Sequence, residues 1–256
     1  MRLGKIMLVL ISVIFVLSAC NNGPSTAEKI YNHLEEAVTL EDAFKEQQDP
    51  LVKLEQKEKK LYDQIIDLGM KDMEKIKSKS NEALDLIEQR KEKLSVEKES
   101  IEAAKKEFEK VKPLIEELEN ETAKDKANDM VDVFNKRYDA YQNLYKSYEE
   151  AIQLDEELYK MLQDEELKKE KLDAQIEKIN KKYDEVMKAN TKFNEYTKKY
   201  NNLKKDFYEA AELEVEYENE GNSENDKGSS EKESSDNKEE NSDNNNEQKD
   251  EGSNEE

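Results

Sequence analysis

The stretch of sequence that determines the fold is residues 123–162, AKDKANDMVDVFNKRYDAYQNLYKSYEEAIQLDEELYKML. Apolar and aromatic side chains recur along it at steps of three and four residues, which is the period of an α-helix with one buried face. They are Ala127, Met130, Phe134, Tyr138, Tyr141, Tyr145, Tyr148, Ile152 and Tyr159. With no Gly or Pro in the stretch, it predicts one uninterrupted helix. A helix with such a face needs other helices to cover it.

Three further stretches show the same period and are of similar length. They run from Ser25 to Leu68, from about Met70 to Glu119 and from about Glu165 to Tyr217. Arms of near-equal length joined by short turns become antiparallel neighbours. Residues 26–218 are therefore predicted to form an all-α domain, an elongated four-helix up-and-down bundle with coiled-coil-like packing and no deep cleft.

Polar residues mark where the arms begin. Ser25 with Glu28 is a capping-box pair for the first arm, and Thr122 with Asp125 is a similar pair for the third. Asp164, followed by two glutamates, has the chemistry of a helix N-terminus and predicts the start of the fourth arm.

The positions of the bends and turns leave alternatives open. The apolar phase of the first arm passes through Pro50, which favours a kink there over a hairpin. The turn into the second arm lies either at Gly69 or near Ser80. Pro113 should bend the second arm. Asn190 occupies an apolar slot of the fourth arm, where a buried amide often fixes register.

Composition supports long helices and a separate tail. Charged residues make up 41% of the chain and hydrophobic ones 34%, with six Gly, three Pro and no Trp. Residues 221–256 hold no apolar side chain, so residues 219–256 are predicted to be a disordered acidic tail. The net charge of −22 disfavours nucleic acid and anionic lipid as partners.

The first twenty residues predict a membrane anchor. Two basic residues precede an apolar run that is too short to span a bilayer, and Leu17-Ser18-Ala19-Cys20 then resembles the bacterial lipobox. Residues 1–19 are predicted to be a cleaved signal peptide, and residues 20–25 the lipidated Cys20 with a short tether. This puts the chain on the extracytoplasmic face of the cell membrane, whereas an ordinary secretory signal is the alternative.

Little in the sequence points to catalysis. Cys20 and His33 are the only residues of their types, which excludes a zinc site built from several His and Cys residues and a di-iron site built from two Glu-x-x-His motifs. Carboxylate pairs such as Glu149-Glu150 are expected by chance on solvated helix faces. We predict no enzyme, no catalytic residue, no metal and no cofactor.

Two surface features are candidates for binding. A row of tyrosines in the third arm could stack on sugar rings or pack in the bundle seam: Tyr138, Tyr141, Tyr145 and Tyr148. Residues 167–205 carry twelve lysines against six acidic residues, so this segment could meet an anionic polymer or balance its acidic neighbours. The clusters within it are Lys181, Lys182, Lys198, Lys199, Lys204 and Lys205.

Several short segments, in their order and spacing after the lipobox, resemble the YkyA-like family of cell-wall-binding lipoproteins of Gram-positive bacteria. The segments are Leu68-Gly69-Met70, Ser80-Asn81-Glu82-Ala83, Glu97-Lys98-Glu99-Ser100-Ile101 and Arg137-Tyr138 through Tyr148. The resemblance implies a four-helical up-and-down bundle outside the cell, anchored by lipid, and it supplies no catalytic or ligand residues. The expected function is non-enzymatic binding of cell-wall material or an envelope partner. The alternative is a spacer or scaffold that docks partner proteins without affinity for glycan.

Overall fold

A computed structural model describes residues 23–215, apart from the side chain of Met70. Six α-helices make up this part of the chain: α1 (Thr26–Leu40), α2 (Asp42–Leu68), α3 (Met73–Phe108), α4 (Val111–Ile115), α5 (Glu121–Met161) and α6 (Lys169–Ala210). A single 3-10 turn, Gly69–Lys71, precedes α3, and residues 23–215 contain no strand. The predictions for the signal peptide, Cys20 and the acidic tail concern residues outside this range.

The helices group into the four predicted arms, and the all-α bundle is confirmed. Helices α1 and α2 form the first arm, α3 and α4 the second, α5 the third and α6 the fourth. Neighbouring arms are antiparallel, because contacts that move forward along one arm move backward along the other. Between the first and second arms, Phe44 contacts Ser100 and Glu58 contacts Arg90. Between the third and fourth arms, Lys126 contacts Asp206 and Glu150 contacts Lys182. Contacts of Glu35 with Lys204 and Tyr208 join the first arm to the fourth and close the ring of four arms.

The first arm is interrupted at Glu41, and α2 runs through Pro50 without a break. The hairpin alternative at Pro50 is therefore wrong, and the break lies nine residues earlier than the predicted kink. Ser100 of α3 explains how the break is tolerated. Its Oγ donates to the carbonyl oxygen of Leu40 (2.6 Å) and accepts from the amide of Phe44 (3.1 Å), two groups that the break leaves without helical partners.

The turn into the second arm lies at Gly69–Asp72, and Ser80 is buried inside α3. Gly69 has φ 54° and ψ −152°, a conformation that is accessible almost only to glycine. The side chain of Asp72 then accepts a hydrogen bond from the amide of Lys75 and caps α3. These two residues reverse the chain here.

Pro113 affects the second arm as predicted, but the helix breaks ahead of it, at Glu109–Lys110. Proline has no amide hydrogen to give to the carbonyl four residues back, which here is that of Glu109. The helical path therefore ends at Phe108 and resumes as the short α4.

The ends of the other helices confirm one predicted cap and correct two. Both hydrogen bonds of the Ser25–Glu28 capping box are present. Asn120, rather than Thr122, caps α5 by accepting from the amide of Ala123. Asp164 does not cap α6, which begins later, at Lys169. Its side chain instead accepts a hydrogen bond from the amide of Glu166, two residues on, which is the geometry of a turn.

The core consists of apolar groups separated by charged residues. Phe108 and Phe134 stack near the α4 end with ring centroids 3.6 Å apart. Phe44, Tyr141 and Phe193 form an aromatic layer in the middle of the bundle, with neighbouring rings at 5.7–5.9 Å. Leucine and isoleucine residues of α2, α3 and α5 fill the end nearest Gly69.

Candidate functional site

A buried arginine links all four arms. Arg90 of α3 is 1% exposed, and its Nη1 donates to Glu58 of α2 (2.6 Å) and to Asp155 of α5 (2.9 Å). Its Nη2 donates to the hydroxyl of Tyr183 on α6 at 2.7 Å. The Arg90 guanidinium also lies 5.3 Å from the centre of the Tyr148 ring. Removing Arg90 would leave the carboxylates of Glu58 and Asp155 buried without their cation.

A second buried arginine, Arg137 of α5, holds the break in the first arm. Its two terminal nitrogens form a bidentate pair with the Glu41 carboxylate, at 2.6 Å each, and its Nε donates to Thr197 of α6. The guanidinium lies 4.9 Å from the centre of the Phe193 ring. Because Glu41 is the residue at which the first arm is interrupted, the break directs its carboxylate into this pair.

A third buried group, Glu97 of α3, has no cation as a partner within residues 23–215. Gln48 of α2 donates a hydrogen bond to its carboxyl group. Burial raises the pKa of Glu97 to about 8, since no positive charge compensates for the loss of water. Glu97 lines a partly open cavity of about 70 Å³ together with Asn190 and Tyr141, whose hydroxyl has no hydrogen-bond partner in the described part of the chain. A cavity of this size has room for ordered water beside these polar groups.

Asn190 is buried in the slot that the sequence indicated. Its amide oxygen accepts from Asn194, one turn along the same helix. This bond does not link two helices, so it does not by itself fix their register.

An open groove of about 290 Å³ lies between α2 and α6, a surface feature that the sequence did not indicate. Arg90, Glu58 and Asp155 lie at its floor, and Tyr62 and Tyr183 are among its walls. It opens because α2 and α6 share almost no close backbone contacts, whereas α2 packs on α3 and α5 packs on α6. The lining contains no His, Ser, Thr or Cys.

The predicted lysines fall into two groups. Lys182 pairs with Glu150 (2.7 Å) and Glu185 (2.6 Å), and Lys204 is 2% exposed and bonds Glu35. Neither is available to a polymer at the surface, and burial lowers the pKa of Lys204. The remaining four are exposed: Lys181, Lys198, Lys199 and Lys205.

The structure reveals a straight row of lysines on α6 that the sequence clusters did not indicate. Lys181, Lys188, Lys192 and Lys199 are all exposed, and their spacing of 7, 4 and 7 residues returns each to the same side of the helix. We call these four residues the lysine row. It extends for about 27 Å along α6. Glu185 lies beside it and is held by Lys182.

The tyrosine row of α5 faces the interior more than the solvent. Tyr141 and Tyr148 are buried, and Tyr138 and Tyr145 are half-buried. Tyr141 packs on Phe44 and Phe193, and the hydroxyl of Tyr148 donates to Glu55. A sugar ring could reach only the partly exposed members of this row.

Residues 23–215 contain no helix of the length and apolarity needed to cross a membrane. The same range has no cluster of three or more His, Cys, Asp or Glu side chains suited to a metal ion.

Comparisons with known proteins identify the family. The family model for YkyA, described as "Putative cell-wall binding lipoprotein", matches residues 25–210. An "Uncharacterized lipoprotein YkyA" from Bacillus subtilis (strain 168) is 36% identical over 152 residues, which are 59% of this chain and 68% of the relative. A crystal structure of a conserved protein of unknown function from Staphylococcus aureus superposes with a TM-score of 0.61 at 16% identity, covering 73% of this chain and 97% of that one. At 16% identity, the likeness to the Staphylococcus aureus protein concerns the fold alone. Because the family model covers most of the chain, including the whole bundle, the chain belongs to the YkyA family of lipoproteins.

Proposed function

We propose that this chain is a non-enzymatic envelope lipoprotein that binds an anionic cell-wall polymer through the lysine row of α6. The observation that carries the proposal is the row itself. Four exposed lysines share one side of a helix whose segment 167–205 is net positive, in a chain whose net charge is −22. A linear polyanion can contact a straight row of cations at several points at once, and each contact adds to the affinity.

The partners of these lysines support a role in binding. Lys181, Lys188 and Lys192 form no salt bridge or hydrogen bond with another described residue, and Lys199 lies over the ring of Tyr196 at 5.3 Å. Lys182, by contrast, is held by two carboxylates. The lysine row is therefore not held by carboxylates of the neighbouring arms, although, with Lys182, the charges of Lys181 and Lys188 help to lower the pKa of Glu185 on α6 itself.

The buried carboxyls support a structural role for the interior. A pKa near 7, as at Glu58, suits a general acid or base, but Glu58 and Asp155 both bond the same nitrogen of Arg90. No serine, cysteine or histidine lines the groove to serve as a nucleophile or shuttle. Ion pairing accounts for these groups without a reaction.

The anchor forms the second part of the proposal. Cys20 would carry a diacylglyceryl thioether after removal of residues 1–19, holding the bundle at the outer face of the membrane. The family's lipoprotein description supports this location. Metabolic labelling with a fatty-acid analogue should mark the wild-type chain and leave Cys20→Ser unlabelled. Equal labelling of both chains would contradict the assignment.

Co-sedimentation with purified wall sacculi tests the binding. The protein should sediment with sacculi that keep their anionic polymers and stay in solution with sacculi stripped of them. Reversing the lysine row to Glu should abolish sedimentation. The matched control reverses four exposed lysines of α2 and should retain it: Lys45, Lys53, Lys57 and Lys60. Equal binding by both variants would exclude the row, and no binding by the wild type would leave the scaffold function as the better description.

A further inference from the structure

The groove between α2 and α6 has an apolar wall and a polar floor. Its wall includes half-buried side chains that the periodicity placed in the seam of the bundle. These seam residues are Ile176, Ile179 and Tyr183 on α6, and they are half-buried because they line the groove. Val52 and Tyr62 on α2, which are also half-buried, face the same groove. Liquid water occupies about 30 Å³ per molecule. A groove of about 290 Å³ can therefore hold an aliphatic chain of several carbons.

The floor of the groove has more negative than positive charge. Three carboxylates surround one guanidinium, since Glu58 and Asp155 bond Arg90 and a Glu55 oxygen lies 3.7 Å from it. Lys59, at the rim, is paired with Asp63 at 3.0 Å. The floor therefore carries a formal excess of negative charge close to the aromatic rings of the groove.

The ionisation of Glu58 supports the same conclusion. Burial, together with the negative charges of Asp155 and Glu55, raises its pKa to about 7 against the opposing effect of Arg90. The other groups facing it are Tyr159 of α5, whose hydroxyl donates to the Glu58 carbonyl, and the tyrosines of the groove wall. Near neutral pH the floor thus retains a proton that a bound cation would displace.

We propose that this groove binds a primary ammonium on an unbranched aliphatic chain. The ammonium would lie near the carboxylates of Glu55, Glu58 and Asp155, and the carbon chain would lie along the apolar wall. Aromatic rings stabilise a desolvated cation through their faces, and Tyr62 and Tyr183 supply such rings. The inference is independent of the lysine row, which is exposed on α6 and binds charge of the opposite sign.

Titration with n-butylammonium chloride tests the proposal, with uncharged n-butanol as the control of matched shape. Amide resonances of residues lining the groove should shift with n-butylammonium, at millimolar affinity, and should not shift with n-butanol. Between pH 6 and pH 8 the affinity should rise threefold to tenfold, because Glu58 must lose its proton. Absence of shifts at 50 mM n-butylammonium, or equal binding of n-butanol, would overturn the proposal.

Two matched substitutions locate the site without disturbing the buried network. Asn180 lines the rim of the groove and Asn202 lies outside it, and both are exposed residues of α6. Asn180→Lys should weaken n-butylammonium binding at least fivefold, while Asn202→Lys should change it less than twofold. Circular dichroism spectra should be the same for both. An equal effect of the two substitutions would place the binding elsewhere and overturn the proposal.

The same titration with Nα-acetyl-lysine N-methylamide distinguishes a peptide-borne amine from a free one. Tighter binding than n-butylammonium would assign the groove to a lysine-type side chain, and weaker binding would assign it to a free alkyl amine. Failure of both probes to bind would overturn the proposal while leaving the sacculus result unaffected.

Discussion

Replacing Glu97 by Gln should make the protein more stable at alkaline pH than the wild type. The Glu97 carboxyl is 4% exposed, between the seam residues Leu94 and Ile101 of α3, and its only hydrogen-bond partner within residues 23–215 is Gln48. Glutamine has nearly the same shape and cannot ionise. The exchange therefore removes the cost of a buried charge while keeping the packing.

The expected size of the effect follows from the pKa of Glu97. It lies at about 8 in the folded protein, against 4.5 for an ordinary glutamate. At 1.36 kcal/mol for each tenfold change in the ionisation constant, the difference sets an upper limit of about 5 kcal/mol. Relaxation and water penetration reduce such terms, so we expect about 2–4 kcal/mol.

The sign follows from proton linkage. The folded state binds the Glu97 proton more tightly than the unfolded state, so this stabilisation is complete below pH 4.5 and is lost as pH rises through about 8. Glu97→Gln should thus differ little from the wild type at pH 5 and exceed it by about 2–4 kcal/mol at pH 9.

Urea unfolding followed by far-ultraviolet circular dichroism, at pH 5, 7 and 9, measures this difference. Glu99→Gln on the same helix is the control, because Glu99 is exposed, and its difference from the wild type should not vary with pH. If the advantage of Glu97→Gln over the wild type is the same at pH 5 and pH 9, then Glu97 is not a buried carboxyl with a raised pKa.

Two further substitutions test the arm connections. Arg90→Met should lower the free energy of unfolding by about 3–5 kcal/mol, because Glu58 and Asp155 would remain buried without their cation, and also replacing both acids by Leu should restore most of it. A triple variant no more stable than Arg90→Met would contradict this reasoning. Gly69→Ala should cost about 1–3 kcal/mol because of its positive φ. Gly23→Ala, which meets no atom within 4 Å, should be neutral in the same urea titration, and equal effects of the two would exclude backbone strain at Gly69.

The fold was predictable from the sequence because apolar periodicity and turn residues agree over most of the chain. The Ser25–Glu28 capping box and the turn at Gly69 were visible as local signals. The break at Glu41 was not, because Ser100, 56 residues from Phe44, compensates for the lost helical bonds. Its position depends on a neighbouring arm.

The buried charges could have been found in the sequence by a different reading of the same period. Arg90 lies between the seam residues Ile87 and Leu94, and Arg137 between Phe134 and Tyr141, at steps of three and four. A charged residue in such a slot either pairs inside the core or bends out to water. Which of these occurs depends on acids from other arms, and a single sequence does not show how those arms are paired.

The lysine row was missed for a related reason. Adjacent pairs such as Lys181-Lys182 and Lys198-Lys199 stand out in the sequence, but neighbouring residues of a helix point in different directions. Lys182 consequently faces Glu150 on α5 while Lys181 stays exposed. The contiguous surface is formed by residues that are four and seven positions apart.

The salt dependence of binding to a soluble poly(glycerol phosphate) tests the proposed function most directly. Affinity should fall steeply as NaCl rises from 50 to 300 mM, since each phosphate contact releases condensed counterions. Replacing the lysine row with Gln should reduce the slope of log affinity against log salt by about 2–3, at roughly 0.7 for each lost contact with a flexible polyanion. An unchanged slope in this variant would show that the row does not contact the polymer and would contradict the proposed function.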